Sequence, residues 1–175
     1  IFMNASSQYY ANELREYPEQ FGMSEYYAKE YLEKQGYTGA SGWGFHNDVM
    51  YAETLKMLER AKAKNDSLVM VTKTLDMHQP YPYTGLSWNE MPENVRSNTN
   101  VTVRGVYWVD QTLQSFFKEA EKRGLMDDRT LFIITSDHNP HSGGEYTKLV
   151  TKADDKQSIA PIPLIFVSKK LAPLN

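Results

Sequence analysis

The chain has 175 residues and a net charge of −3, from 19 basic and 22 acidic side chains, and this length suits one domain or part of a larger one. The hydrophobic fraction of 41% and charged fraction of 23% are typical of a globular protein, and the weak negative charge argues against a nucleic-acid-binding protein. Cysteine is absent, which excludes disulfides and thiolate metal sites within these residues, and no apolar run approaches the roughly 18 residues of a membrane span.

Two helices are predicted near the beginning of the chain. The first covers residues 7–16 and is stopped by Pro18, because proline cannot continue the hydrogen bonding of a helix. The second covers residues 24–35, with Ser24 as its N-cap and Gly36 as its C-terminal stop.

A third helix is predicted to begin at Asn47 or Asp48, after a glycine-rich loop, and to reach about residue 63. Residues 67–74 are apolar and β-branched and predict a buried strand. The loop that follows, through about residue 98, is rich in aromatic residues and proline. Loops of such length are usually functional or disordered, and the aromatic residues favour a functional loop.

A long helix is predicted over residues 100–123 from an apolar stripe formed by Val106, Val109, Leu113, Phe116, Phe117 and Ala120. Asp110 falls on this stripe, so we expect it to bond buried loop backbone or to orient a histidine rather than to act on a substrate. A buried strand is predicted at residues 131–134 and another strand at residues 161–167. Helices that alternate with apolar strands predict a layered α/β fold with a parallel or mixed sheet.

Asp137 and His138 follow the predicted strand at residues 131–134. The C-terminal tip of a strand is where open α/β sheets bind ligands and metals, and an adjacent carboxylate and imidazole suit a divalent cation. The alternative is a turn-capping aspartate beside a surface histidine. His141 and the glycines that follow it add a third potential ligand and a close backbone approach.

His78 follows the predicted strand at residues 67–74. Because the C-terminal ends of parallel strands share one edge of a sheet, the loop of His78 is expected to converge with the loop of His138 on one pocket. A neutral imidazole there could bind a metal, and a protonated one could pair with an anionic substrate. A loop histidine bonded to backbone is the alternative.

Trp43 and the His-Asn-Asp sequence at residues 46–48 open the third predicted helix. Phosphate or sulfate could dock at this helix N-terminus. The alternative is that Trp43 anchors the core and Asp48 caps the helix. No serine or threonine stands in a recognisably activated setting, so a nucleophile for ester chemistry is missing from the pattern.

Three motifs in the second half of the chain resemble a known family. Residues 109–117 read Val-Asp-Gln-Thr-Leu-Gln-Ser-Phe-Phe, residues 124–130 read Gly-Leu-Met-Asp-Asp-Arg-Thr, and residues 134–138 read Ile-Thr-Ser-Asp-His. Together they resemble the C-terminal portion of the sulfatase-type branch of the alkaline phosphatase superfamily. Members of that branch carry an aspartate-containing helix, a Gly-Leu turn and a strand ending in Ser-Asp-His-Gly or Ser-Asp-Asn-Gly.

Other motifs narrow the resemblance to one group within that branch. The Gly-Trp-Gly-Phe-His-Asn-Asp sequence at residues 42–48 and the His-Gln-Pro-Tyr sequence at residues 78–81 are similar to lipoteichoic acid synthase and related phosphoglycerol transferases. The Pro-Ile-Pro-Leu sequence at residues 161–164 matches the family's strand after the metal loop. The resemblance covers residues 36–170.

The resemblance implies an extracytoplasmic, layered α/β/α domain that handles phosphate or sulfate esters, with lipid headgroups or glycans among the candidate substrates. It implies a divalent cation (Mn, Mg, Zn or Ca), with Asp137 and His138 as metal ligands. His78, Trp43 and His141 would bind the substrate.

The resemblance also implies that residues 1–175 form a single, partial sulfatase-like domain, the C-terminal part of an alkaline-phosphatase-like catalytic domain. The family's nucleophile and its other acidic metal ligand lie in an N-terminal part that this chain lacks. We therefore expect the chain to be inactive alone and the full-length protein to be membrane-anchored.

One departure from the family keeps an alternative open. Asn139 and Pro140 stand where the family usually has glycine after the histidine. The alternative is a non-catalytic module that binds a polyanionic glycan or lipid headgroup on the same scaffold.

Overall fold

The computed structural model describes residues 1–78, 91–138, 148 and 162–171. In this part of the chain the strands are Phe2–Asn4 (β1), Tyr26–Tyr27 (β2), Val71–Lys73 (β3), Phe132–Thr135 (β4) and Leu164–Val167 (β5). The helices are Glu13–Phe21 (α1), Lys29–Lys34 (α2), Asn47–Lys64 (α3), Glu93–Arg96 (α4) and Val101–Lys122 (α5), and a 3-10 turn at Tyr10–Asn12 precedes α1. None of these helices is both long and apolar enough to cross a membrane.

The first sheet is parallel and has β1 at its centre, between β2 and β3. Phe2 lies opposite Tyr26 on one side and Val71 on the other. Parallel strands end at one edge of the sheet, and the backbone of Ala5, just after β1, donates a hydrogen bond to the carbonyl of Lys73 at 3.1 Å. The segments that follow β1 and β3 therefore leave the sheet side by side.

Helix α3 packs on this sheet and closes the main core. The hydroxyls of Thr54 and Thr72 join α3 to β3 at 3.0 Å. The buried apolar cluster consists of Met3, Ala5, Leu32, Phe45, Met50 and Met57. The predicted α/β class is confirmed, since the fold combines a parallel sheet with packed helices.

Helix α5 packs against α3, but its buried face differs from the predicted apolar stripe. Thr102, Gly105, Trp108, Thr112, Phe116 and Ala120 are buried, whereas Val106 is exposed. Thr112 can occupy the buried face because its hydroxyl bonds the helix's own Trp108 carbonyl at 3.1 Å. Asp110 is exposed and its carboxylate contacts the neighbouring Gln111 amide, so the expected role in orienting buried groups is wrong.

Strands β4 and β5 form an antiparallel pair in which Ile133 lies opposite Phe166. The prediction of a buried strand at residues 131–134 is only half right. Phe132 packs on Phe116 with ring centroids 5.6 Å apart, while Ile133 on the opposite face is 55% exposed. Side chains alternate between the two faces of a strand, so contact with α5 covers one face alone.

The predicted boundaries hold best for the long helices. The helix predicted over residues 100–123 is α5, and Asn100 caps it, its side chain accepting from the backbone of Thr102 at 2.9 Å. The helix expected over residues 24–35 is instead β2 followed by the shorter α2, and α1 runs through Pro18 to Phe21. The short elements β1, β2 and α4 were not predicted.

Candidate functional site

Three segments meet at the C-terminal edge of the parallel sheet: the one after β1, the glycine-rich loop before α3, and the one after β3. The backbone of Phe45 donates to the carbonyl of Ala5 at 3.0 Å, and Gly44 pairs with Ser6 in a β-bridge. A side chain at Gly44 would place its Cβ 2.1 Å from the Ala5 carbonyl oxygen. Glycine at this position is therefore required for the loop to approach β1.

A buried carboxylate joins the second and third of these segments. Asp76 is 3% exposed and accepts hydrogen bonds from the His46 ring nitrogen Nδ1 at 2.7 Å and from the Asn47 backbone at 2.9 Å. The indole nitrogen of Trp108 donates to the same carboxylate from α5. We call these four residues the Asp76 cluster.

The Asp76 cluster bears on the expectation for the N-terminus of α3. The carboxylate of Asp76 accepts from the first backbone amide of the helix, so one of the donors expected for a phosphate or sulfate is already bonded within the protein. The two parts of the alternative are wrong. Asp48 is exposed and makes no capping bond, and Trp43 is 43% exposed rather than a core anchor.

Trp43 and His78 come together across the two loops. Their rings lie 4.7 Å apart between centroids with an interplanar angle of 35°. Both side chains are exposed, and the backbone of His78 donates to the carbonyl of Leu75 at 2.8 Å, which fixes the turn after β3. The structure thus brings together two of the residues proposed from the sequence to bind substrate.

Asp76 sets the electrostatics of this edge. The hydrogen bond to Asp76 raises the pKa of His46 against the opposing effect of burial, and the charges of Asp76 and Asp48 raise it further. Burial, with a contribution from the Asp76 charge, raises the pKa of Tyr51 to about 12. A neutral His46 that donates from Nδ1 carries its lone pair on Nε2.

Asp137 and His138 lie side by side just after β4. Both side chains are more than half exposed, and the Asp137 oxygen Oδ2 is 3.8 Å from the His138 nitrogen Nε2. The backbone of His138 donates to Asp137 Oδ1 at 3.0 Å, and the Ser136 hydroxyl donates to the His138 carbonyl at 2.8 Å. The pair is therefore exposed to solvent on a turn that these hydrogen bonds stabilise.

A second buried carboxylate lies at the same edge and was not anticipated from the sequence. Glu13 accepts from Lys73 Nζ at 2.8 Å and from the Tyr26 hydroxyl at 3.3 Å, and the Asn4 side-chain amide also donates to it. Burial lowers the pKa of Lys73, but the bond to Glu13 and nearby charges, including that of Asp137, raise it overall. The end of β3 is thus within electrostatic range of the Asp137 carboxylate.

Asp137 and His138 are the two residues that are expected from the sequence to bind a metal. Within residues 1–78, 91–138, 148 and 162–171, no group of three or more histidines, aspartates or glutamates could hold a metal ion. Asp137 and His138 offer one carboxylate oxygen and one imidazole nitrogen, which fit two positions of a divalent-cation site. His141, Asn139 and Pro140 lie outside the described residues.

Comparison with known proteins places these features in a family. A model of the sulfatase family matches residues 1–173. No curated protein sequence matches the chain.

Two solved structures share the fold. A protein of the alkaline phosphatase superfamily from Vibrio parahaemolyticus is 19% identical with a TM-score of 0.73, over 99% of this chain and 39% of that one. The lipoteichoic acid synthase LtaP from Listeria monocytogenes is 15% identical with a TM-score of 0.72, over 98% of this chain and 44% of that one. The chain thus spans less than half the length of either, and it belongs to the sulfatase family.

Proposed function

We propose that this chain is part of a metal-dependent enzyme that hydrolyses or transfers phosphate or sulfate esters, either a phosphoglycerol transferase or a sulfatase-like hydrolase. The observation that carries the proposal is the pair formed by Asp137 and His138, two adjacent and exposed side chains at the end of β4. The sulfatase-family match and the fold shared with LtaP support the choice of ester chemistry.

Asp137 and His138 are the proposed metal ligands. A bound divalent cation would act as a Lewis acid toward a non-bridging ester oxygen and would lower the pKa of a nucleophile. The charge of Asp137 contributes to the raised pKa of Lys73, which supports a site near the end of β3, the strand that leads into the segment of His78. The proposed cation is Mn, Mg, Zn or Ca, because these metals bind oxygen and nitrogen ligands.

Trp43 and His78 are the proposed substrate-binding pair, with His141 as a further pocket histidine. A protonated His78 would pair with the anionic ester, and the exposed indole would pack on the group that the ester carries. Phosphorylated lipid headgroups and glycans have both an anionic centre and an extended neutral part, so they are the substrates we propose.

The nucleophile is proposed to come from a segment outside these 175 residues. In support, the solved relatives are more than twice as long as this chain. In that arrangement the chain is inactive alone, and the whole enzyme is extracytoplasmic and membrane-anchored. The chain would then contribute metal ligands and substrate contacts rather than the attacking group.

The test is an ester-cleavage assay on the full-length protein with p-nitrophenyl phosphate, p-nitrophenyl sulfate and phosphatidylglycerol, with and without added Mn²⁺. We expect metal-dependent cleavage that Asp137→Ala abolishes. Asp128→Ala is the matched control, because Asp128 is an exposed carboxylate in the turn that precedes β4. Cleavage that survives Asp137→Ala would refute the proposed role of the pair. Binding of the lipid without any cleavage would favour a non-catalytic polyanion-binding module.

A further inference from the structure

The two loops that carry Trp43 and His78 are also linked through His46 and Asp76. His46 lies three residues after Trp43 in the glycine-rich loop, and Asp76 lies two residues before His78, after β3. The hydrogen bond between His46 and Asp76 measures 2.7 Å, and the rings of Trp43 and His78, tilted by 35°, have centroids 4.7 Å apart. The loops are therefore joined by a part-buried hydrogen bond and by an exposed aromatic contact.

We propose that Asp76 is a positioning residue, which keeps Trp43 and His78 in contact through its bonds to His46, to the start of α3 and to Trp108. The inference goes beyond the proposed function by assigning a role to a buried carboxylate that touches neither metal nor substrate. It rests on that function only in naming Trp43 and His78 as the substrate-binding pair.

The geometry of Asp76 suits this role because its partners come from three separate elements. Oδ1 is bonded to His46 in the loop, and Oδ2 accepts from the Asn47 backbone at the first position of α3. Trp108 donates to Oδ2 from α5 and is 4% exposed, so this anchor is part of the buried helix interface. Movement of either loop would break at least one bond to a desolvated carboxylate, which is costly.

The alternative is a purely structural role, in which Asp76 only caps helix α3. A cap contributes to stability, and its loss would lower the free energy of unfolding without changing how Trp43 and His78 meet. A positioning role predicts in addition a change in that ring contact. The two accounts therefore differ in a readout other than stability.

The test uses the chain in its native state and needs no substrate. NMR spectra of the imidazole groups should show His46 as the Nδ1–H tautomer with a titration midpoint above the ordinary 6.5. Protons of the His78 ring should be displaced upfield by the Trp43 indole, and Trp43→Leu identifies that displacement. Asp76→Asn keeps the size of the side chain and removes its charge.

We expect Asp76→Asn to remove the upfield displacement of His78 and to return the titration midpoint of His46 toward 6.5. Asp48→Asn is the matched control, since Asp48 is an exposed carboxylate that also acts on His46 but makes no bond to it. It should leave the His78 displacement unchanged. Trp108→Phe, which removes one donor and keeps an aromatic ring, should weaken the displacement.

Retention of the His78 displacement in folded Asp76→Asn would overturn the proposal and leave helix capping as the sole role. If that variant fails to fold, two other measurements test the proposal. An Nε2–H tautomer of His46 in the wild type would overturn it, and so would an unchanged displacement of the His78 protons in Trp108→Phe. None of these results depends on metal binding or ester cleavage. A failure of the proposed function is thus distinguishable from a failure of this inference.

Discussion

At the residue scale, the protein places several charged side chains in its interior and satisfies each through named partners. Glu53 of α3 is fully buried, and its two oxygens accept from the hydroxyls of Tyr31 at 3.1 Å and Tyr37 at 3.2 Å. Lys56 and Arg60 lie 3.4 and 3.7 Å from the same carboxylate. Glu53 thus links α2 and the residues just after it to helix α3.

Replacing Glu53 with alanine should lower the free energy of unfolding by about 2–3 kcal/mol, because two partly buried tyrosine hydroxyls lose their acceptor. Glu59 is the matched control on the same helix, where it bridges to Arg123 at 3.1 Å on the surface. Its replacement should cost less than about 1 kcal/mol. Equal losses in urea denaturation would show that Glu53 is not buried as described.

The raised pKa of His46 makes its contribution to stability depend on pH. A histidine whose pKa is higher in the folded than in the unfolded state stabilises the fold below the unfolded pKa, and this stabilisation is lost as pH rises through the folded value. The unfolding free energy of the wild type, relative to His46→Gln, should therefore fall as pH increases above about 6.5. An increase over that range would contradict the ion pair between His46 and Asp76.

Gly44 illustrates a backbone requirement with direct consequences for the site. Alanine there would meet the Ala5 carbonyl, and we expect a loss of roughly 2–3 kcal/mol. Gly42, two residues earlier, has open space where a Cβ would lie, with no neighbouring atom within 4 Å, so Gly42→Ala should change stability by less than about 0.5 kcal/mol. Similar melting temperatures for the two variants would rule out the close approach of the loop to β1.

At the element scale, the alternation of β4 gives a simple test of which face packs on α5. Phe132 contacts Phe116 and Phe117, while its neighbour Ile133 is exposed. Phe132→Ala should cost roughly 2–3 kcal/mol, because it removes a partly buried ring, and Ile133→Ala less than about 1 kcal/mol. Chemical denaturation of the two variants measures both, and a reversed order would mean that the strand faces the other way.

The long helices and the strands with apolar runs could be predicted from the sequence because their periodicity extends over many residues. Strands β1 and β2 span three and two residues, too few to show a period, and they form only because β1 pairs with both neighbours. The buried face of α5 was misplaced because two of its members are the polar residues Thr102 and Thr112, and the hydroxyl of Thr112 bonds backbone within the helix.

The candidate site was predictable where its residues stand in a local pattern. Trp43, His78, Asp137 and His138 each follow a strand or open a helix, and that placement led to them. Asp76 escaped notice because its partners His46 and Trp108 are 30 and 32 residues away in the chain. Glu13 likewise meets Lys73 across 60 residues. Contacts of this kind depend on the register of the sheet and leave no local signal.

At the scale of the whole molecule, the fold is shared with proteins that are only 15–19% identical. Such a likeness concerns the backbone, and function depends on the chemistry of particular residues. In this chain the functional claim therefore rests on the pair at the end of β4.

Titration calorimetry of the purified full-length protein with Mn²⁺ tests that claim most directly, because metal binding can be measured without a substrate and without the nucleophile. We predict saturable binding that Asp137→Ala or His138→Ala weakens at least about tenfold, equivalent to roughly 1.4 kcal/mol, while Asp128→Ala binds as the wild type does. Binding that is equally strong in all four proteins would contradict the assignment of Asp137 and His138 as metal ligands.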